Sequence, residues 1–204
     1  MKVDHSGSRG KQSGFTLVEL AIVLVIIGLI LGMAFKGKDL IDGAKVKSAQ
    51  TSANKIQSGM NIYFERYGAY PGDGCPAGTT TPAGCIAARN GLLTAAEGLT
   101  TLPLLTGTNI LSASDIRSPF GVNWAVAVGG AGNTTANRNY LTLTTTVTAA
   151  ADVRLVCAMD QQFDDGVPTT GNIRSTGLYA PAPPAIFDCW AMNAQASLSI
   201  QILP

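Results

Sequence analysis

A run of 21 residues from Phe15 to Phe35 contains one ionisable side chain, Glu19, and no proline. At ~1.5 Å per helical residue it spans about 32 Å, close to the ~30 Å hydrocarbon core of a bilayer. A carboxylate within such a run costs roughly 2–3 kcal/mol or more in lipid, which marks Glu19 as a functional group. The preceding residues, 1–14, are polar and carry Lys2, Arg9 and Lys11 against Asp4. That balance suits a tail retained on the cytoplasmic side of a membrane. A secretory signal would close its apolar region with a small-x-small cleavage site. This run passes instead into Lys36-Gly37-Lys38-Asp39.

Beyond Asp39 the pattern stays helical but becomes amphipathic. Ala49, Ala53, Ile56, Met60, Tyr63 or Phe64, and Tyr67 recur at 4-3-4-3 spacing, the signature of one buried helix face. The helix is expected to end near Tyr67, stopped by Gly68 and Pro71-Gly72. Residues 15–35 are therefore read as a membrane and assembly helix, 36–67 as its amphipathic continuation, and 68–204 as a globular α+β domain. Within that domain, residues 72–121 read as loop-rich, with a short helix inside Leu92–Leu105. Val122–Val128 and Tyr140–Val147 alternate as strands around the turn Gly129–Asn133. No Gly-Lys-Ser/Thr follows those glycines, so they read as a hairpin and not as a phosphate loop. Asp152–Met159 reads as either a strand or a short amphipathic helix, the helix being favoured as the lead into an acidic loop. Gly177–Ala180, Ile186–Met192 and Ser197–Leu203 read as the last strands.

Composition narrows the chemistry. Net charge is +1 and charged residues make up 13%, against ~25% in an ordinary domain. That balance gives no nucleic-acid footprint, and Arg89, Arg117, Arg138, Arg154 and Arg174 stand apart in the sequence. The one histidine, His5, lies upstream of the apolar run. If residues 1–14 are removed as a leader, Ser-His and Cys-His catalysis and His-ligated metals are excluded, so the chain does not read as an enzyme. Cys75, Cys85, Cys157 and Cys189 all follow the apolar run, which predicts two disulfides formed in an oxidising compartment; three connectivities are open. Asp160, Asp164, Asp165 and Asn172 could offer oxygens to Ca²⁺, but the EF-hand spacing is absent. Asp and Asn side chains satisfying their own turn explain the cluster as well. No metal is favoured and no cofactor is required.

Gly14-Phe15-Thr16-Leu17-Val18-Glu19, set between a basic leader and an apolar run, resembles the processing site of type IV pilins and type II secretion pseudopilins. The resemblance implies that a prepilin peptidase removes residues 1–14 by cutting after Gly14 and N-methylates Phe15. Glu19 would then pair with the new amine, in its own chain or a neighbour's. Tyr67-Gly68-Ala69-Tyr70-Pro71-Gly72-Asp73 resembles the junction where the long helix of such proteins enters its globular domain. Asp164-Asp165-Gly166-Val167-Pro168-Thr169-Thr170-Gly171 resembles a structural loop of the same domains, and that likeness favours Cys75–Cys85 and Cys157–Cys189 as the pairs. One departure is the absence of a helix-kinking proline near Phe35-Lys36-Gly37-Lys38. Gly28, Gly32 and Gly37 could weaken the helix there, or Gly28 and Gly32 could form a close-contact face.

The fold implied is pilin-like: a long N-terminal helix on a C-terminal antiparallel sheet. The function implied is that of a structural subunit, pilin or minor pilin, of a type IV pilus-like fibre. The alternatives are a type II secretion pseudopilin, or a membrane-anchored adhesin or DNA-binding pilus-tip module. The implied partners are other pilin subunits, prepilin peptidase and an inner-membrane assembly platform. The chain would sit in the bacterial inner membrane with its domain in the periplasm, then in a fibre in the periplasm or at the cell surface.

Overall fold

A computed structural model describes residues 15–129, 137–143, 151–179 and 188–203, with Phe35 described in its main chain alone. The first element, α1, runs from Leu17 to Tyr67. No proline interrupts it, and it continues as α-helix through Gly28, Gly32 and Gly37. It closes where Gly68 donates its N–H to Phe64 O at 2.8 Å, ahead of Pro71. The chain forms two compact units, divided between Ile41 and Asp42.

In the first unit, every side chain from Phe15 to Met33 is exposed, those of α1 from Leu17 onward included. In the second, Val46, Ala49, Ala53, Ile56, Met60 and Tyr63 are buried in a single hydrophobic core. The expected stripe is thus present, extended by Val46 and resolved in favour of Tyr63. Phe64 and Tyr67 remain 44% and 40% exposed, their rings resting against Tyr70 and Tyr63 respectively.

After α1 come α2 (Ala95–Gly107), β1 (Ala125–Val128), β2 (Asn139–Leu143), β3 (Ala151–Asp152), α3 (Val153–Phe163), β4 (Ile173–Ser175), β5 (Gln195–Ala196) and β6 (Leu198–Leu203), with short 3₁₀ turns at Pro82–Gly84 and Cys189–Ala191. Four strands form an antiparallel sheet in the order β1-β2-β6-β4, and β3 pairs with β5. Leu141, Leu143, Leu198 and Ile200 join the α1 stripe in the core. Helix α2 begins with a capping box: Thr94 N donates to Glu97 Oε2 at 2.9 Å, and Glu97 N returns a bond to Thr94 Oγ1. It comes so close to β1 that a Cβ on Gly98 would fall 1.9 Å from Val126 O.

Two strand expectations need correction. Ile186–Met192 does not form a strand over its described part: Asp188 caps a 3₁₀ turn at Cys189–Ala191 by accepting from Trp190 N at 2.9 Å. Gly177–Tyr179 is not a strand either; the edge strand is Ile173–Ser175, which begins directly after the stretch read as acidic loop. Ser197 hydroxyl and backbone contacts then tie down Thr176 and Ser175 beside it. The tip of the expected hairpin beyond Gly129, the end of the second expected strand beyond Leu143, and residues 180–187 lie outside the described residues.

Candidate functional site

The start of α1 is built by Thr16 and Glu19. Thr16 N and Thr16 Oγ1 each donate to Glu19 Oε2 at 2.9 Å, and Glu19 N donates to Thr16 Oγ1 at 3.3 Å. This is a capping box, Thr-x-x-Glu, in which each end satisfies a backbone donor that the helix leaves open. Glu19 is therefore held in the first turn, where the positive end of the helix dipole favours a carboxylate. Phe15 lies just outside the helix and is 85% exposed; Gly14 lies outside the described residues. The helix is long and apolar enough to cross a membrane by length and composition. Around Gly28 and Gly32 there is open space where a side chain would go, so both leave room for another helix to approach. Lipid or other copies of such a helix are the surroundings that can cover so many exposed apolar side chains. A carboxylate fixed at its start can then receive a cation.

Glu19 was legible as an isolated charge, whereas Thr16 was missed as its partner. The signal was present in the sequence: a threonine followed three residues later by glutamate at the head of an apolar run.

The acidic cluster is drawn together, and its carboxylates are taken up by donors of the same loop and its neighbours. Asp160, Asp164 and Asp165 bring carboxylate oxygens within 4.8 Å of one another. Asp160 accepts from Gly166 N at 3.1 Å and from the Tyr179 hydroxyl at 2.7 Å. Asp164 accepts from the backbone of Asn172 and Ile173, and Asp165 from Val167 N and the Thr170 hydroxyl. Gly171 is needed here because a Cβ would strike the Asp164 carboxyl at 2.1 Å, at a φ of +70°. Asn172 contributes its main chain to this network. The carboxylates thus do the work of turn scaffolding, as Asx side chains do. Burial pushes the Asp160 carboxyl up to about 6, with the hydrogen bonds from Tyr179 and Gly166 opposing and the neighbouring Asp165 and Asp164 charges adding to the rise. Burial, and then the bond to Asp160, likewise push the Tyr179 hydroxyl upward. Tyr179 was not anticipated, because only the folded loop brings it to Asp160.

The structure joins Cys75 to Cys85 and Cys157 to Cys189. The second bridge ties α3, just before the acidic loop, to the turn before β5. Its closure over 32 residues stabilises the domain by about 3–4 kcal/mol in the chain-entropy model. At the helix-to-domain junction, the Asp73 carboxylate accepts from Asn90 N and Gly91 N at 3.0 Å each, and Glu97 Oε1 accepts from Gly74 N at 2.9 Å. The Tyr-x-x-x-Pro-Gly-Asp stretch, Tyr67 to Asp73, therefore fixes the loop that carries the first disulfide.

Comparison with known proteins points to the same end of the chain. Residues 9–35 match the family model described as the prokaryotic N-terminal methylation motif. A fimbrial protein of Neisseria meningitidis serogroup B is 32% identical over 92 residues, covering 41% of this chain and 54% of the relative. A type IV major pilin protein of Neisseria gonorrhoeae is 36% identical over 76 residues, 37% of this chain and 35% of the relative. A fimbrial protein of Eikenella corrodens is 32% identical over 68 residues, 33% of this chain and 44% of the relative. The chain thus spans about half the length, or less, of the curated relatives it matches. Among solved structures, the major type IV pilin of Clostridium difficile superposes with a TM-score of 0.45 at 13% identity, covering 80% of this chain and 98% of that one.

Proposed function

From the premise of a type IV pilin-like chain, carrying the N-terminal methylation motif and related to type IV pilins and fimbrial proteins, we propose that this protein is a structural subunit of a pilus-like fibre. In this reading a prepilin peptidase cuts after Gly14 and methylates the amine of Phe15. The exposed half of α1 holds the subunit in the inner membrane, with its domain in the periplasm, until an assembly platform draws it into a stack of like helices. The observation that carries the proposal is the pairing of an exposed apolar half-helix with one capped carboxylate in its first turn. Apolar contact supplies cohesion without choosing a register. A carboxylate that must meet a buried amine does choose one, since an unpaired charge in an apolar stack is costly.

The test is the N-terminus of the protein recovered from membranes and from sheared fibres. N-methyl-phenylalanine at Phe15 is expected in both fractions. An intact Met1 in the fibre fraction, or the absence of the chain from any fibre, would sink the reading.

A further inference from the structure

A groove of about 390 Å³ opens between the domain half of α1 and the last strand, β6. Five side-chain amides, those of Gln50, Asn54, Gln57, Asn172 and Gln201, line it beside the ring of Phe163, and none of its lining residues is titratable. Gln50 Nε2 donates to Asn54 Oδ1 at 3.0 Å, while Gln50 Oε1 is shielded from solvent and has no partner. Turning both amides over would leave a Gln50 nitrogen unsatisfied in its place, so one polar atom of Gln50 lacks a partner either way. Such an atom favours a ligand that brings its own hydrogen-bonding group.

Three ligand classes can be compared. An added peptide strand needs an open backbone edge, but Ile202 O already accepts from Gln57 Nε2 at 2.9 Å, and Gln201 N already donates to Asn172 O at 2.8 Å. An anion needs a cation; no lysine or arginine lines the groove, and Arg138 beside it donates to Gln201 Oε1 at 3.0 Å. A neutral saccharide fits the remaining chemistry. Its hydroxyls both donate and accept, as side-chain amides do. The apolar face of a pyranose can lie on an aromatic ring, and Phe163 is 41% exposed. The volume lies at the small end of the range for small-ligand clefts. We infer that this groove is a binding site for a neutral saccharide of one or two rings, with Gln50 and Asn54 reading hydroxyls and Phe163 carrying the ring. The site lies wholly within the domain and stands or falls independently of the assembly reading.

The test uses the full chain in lipid nanodiscs and saturation-transfer difference NMR with N,N′-diacetylchitobiose, lactose and trehalose, with glucose 6-phosphate as the charged control. Transfer to at least one neutral sugar is expected, with Kd raised at least tenfold by Gln50→Leu and by Phe163→Ala. Gln50→Met replaces the leucine variant if thermal melting shows that the latter does not fold. Three outcomes overturn the inference: no transfer to any neutral sugar above the empty nanodisc, transfer to the charged control alone, or affinities unchanged in folded variants.

Discussion

One helix carries two opposite surfaces. From Leu17 to Ile41, α1 is apolar on nearly every side and exposed throughout its hydrophobic stretch; from Asp42 to Tyr67 it is apolar on one face, and that face is buried from Val46 to Tyr63. The backbone is the same in both halves, so the difference lies in the side-chain pattern. Apolar residues at every position cannot all turn toward one domain and so call for surroundings on all sides. The periodic half uses the domain as its surroundings. The two halves therefore answer to different measurements, fibre formation for the first and unfolding of the domain for the second.

The sharpest way to break that comparison is Glu19→Ala. Membrane insertion should remain, since the change makes the run more apolar, while incorporation into fibres should fall by at least tenfold in a shearing assay. Domain melting should not move. Normal fibre yield would remove Glu19 from the assembly site.

The next test exchanges equivalent truncations between the halves. Ile56 is fully buried and Ile26 is 49% exposed. Ile56→Ala should cost the domain about 2–4 kcal/mol, read as a lower denaturant midpoint. Ile26→Ala should leave that midpoint where it is and act on fibre yield alone. If Ile26→Ala also destabilised the domain, the two halves would not be independent.

The sequence exposed this division because it is written in periodicity, which acts over a few turns. The 4-3-4-3 stripe, the isolated Glu19 and the helix stop at Gly68 are local signals, and α1 follows them closely. The hairpin partners β1 and β2 were legible for the same reason, by alternation. β4 was not, since Ile173–Ser175 is three residues long and becomes a strand through its pairing with β6. The 3₁₀ turn at Cys189 was hidden too: an apolar stretch reads as strand until Asp188 caps it. At the acidic loop, composition admitted either a metal or a turn. The hydrogen bonds to Gly166, Val167, Asn172 and Ile173 that occupy the carboxylates depend on backbone positions no residue pattern specifies.

A smaller effect belongs to the domain half of the comparison. Asp160 titrates near 6 in the fold against an ordinary value of 3.8. The folded state therefore holds its proton more tightly. The contribution is fully present below about pH 4 and is lost as pH rises through about 6. Allowing for screening by water, it amounts to about 1–2 kcal/mol between pH 4 and pH 7. Asp160→Asn should remove this component, so the difference in unfolding free energy between variant and wild type should change with pH over that interval. Tyr179, Asp164 and Asp165 face the same group. A pH-independent difference would mean that Asp160 ionises freely despite its burial.

The smallest expected effect returns to the first turn. Thr16 holds Glu19 through its backbone N–H and its hydroxyl, and only the hydroxyl can be removed by mutation. In Thr16→Val the N–H contact to Glu19 survives, while the acceptor for Glu19 N is lost. A cap of this kind contributes modestly and within a single turn. Fibre yield should fall by about fivefold or less, with Thr16→Ser restoring it and domain melting unchanged in both variants. A loss as complete as that of Glu19→Ala would mean that the threonine hydroxyl itself meets the neighbouring subunit. A loss shared by Thr16→Ser would mean that the hydroxyl does not act alone and that the threonine methyl is needed beside it. Recovery by serine alone makes Thr16 a positioning residue for the carboxylate, and sets the exposed half of α1 apart as a helix whose single polar turn is arranged before any partner arrives.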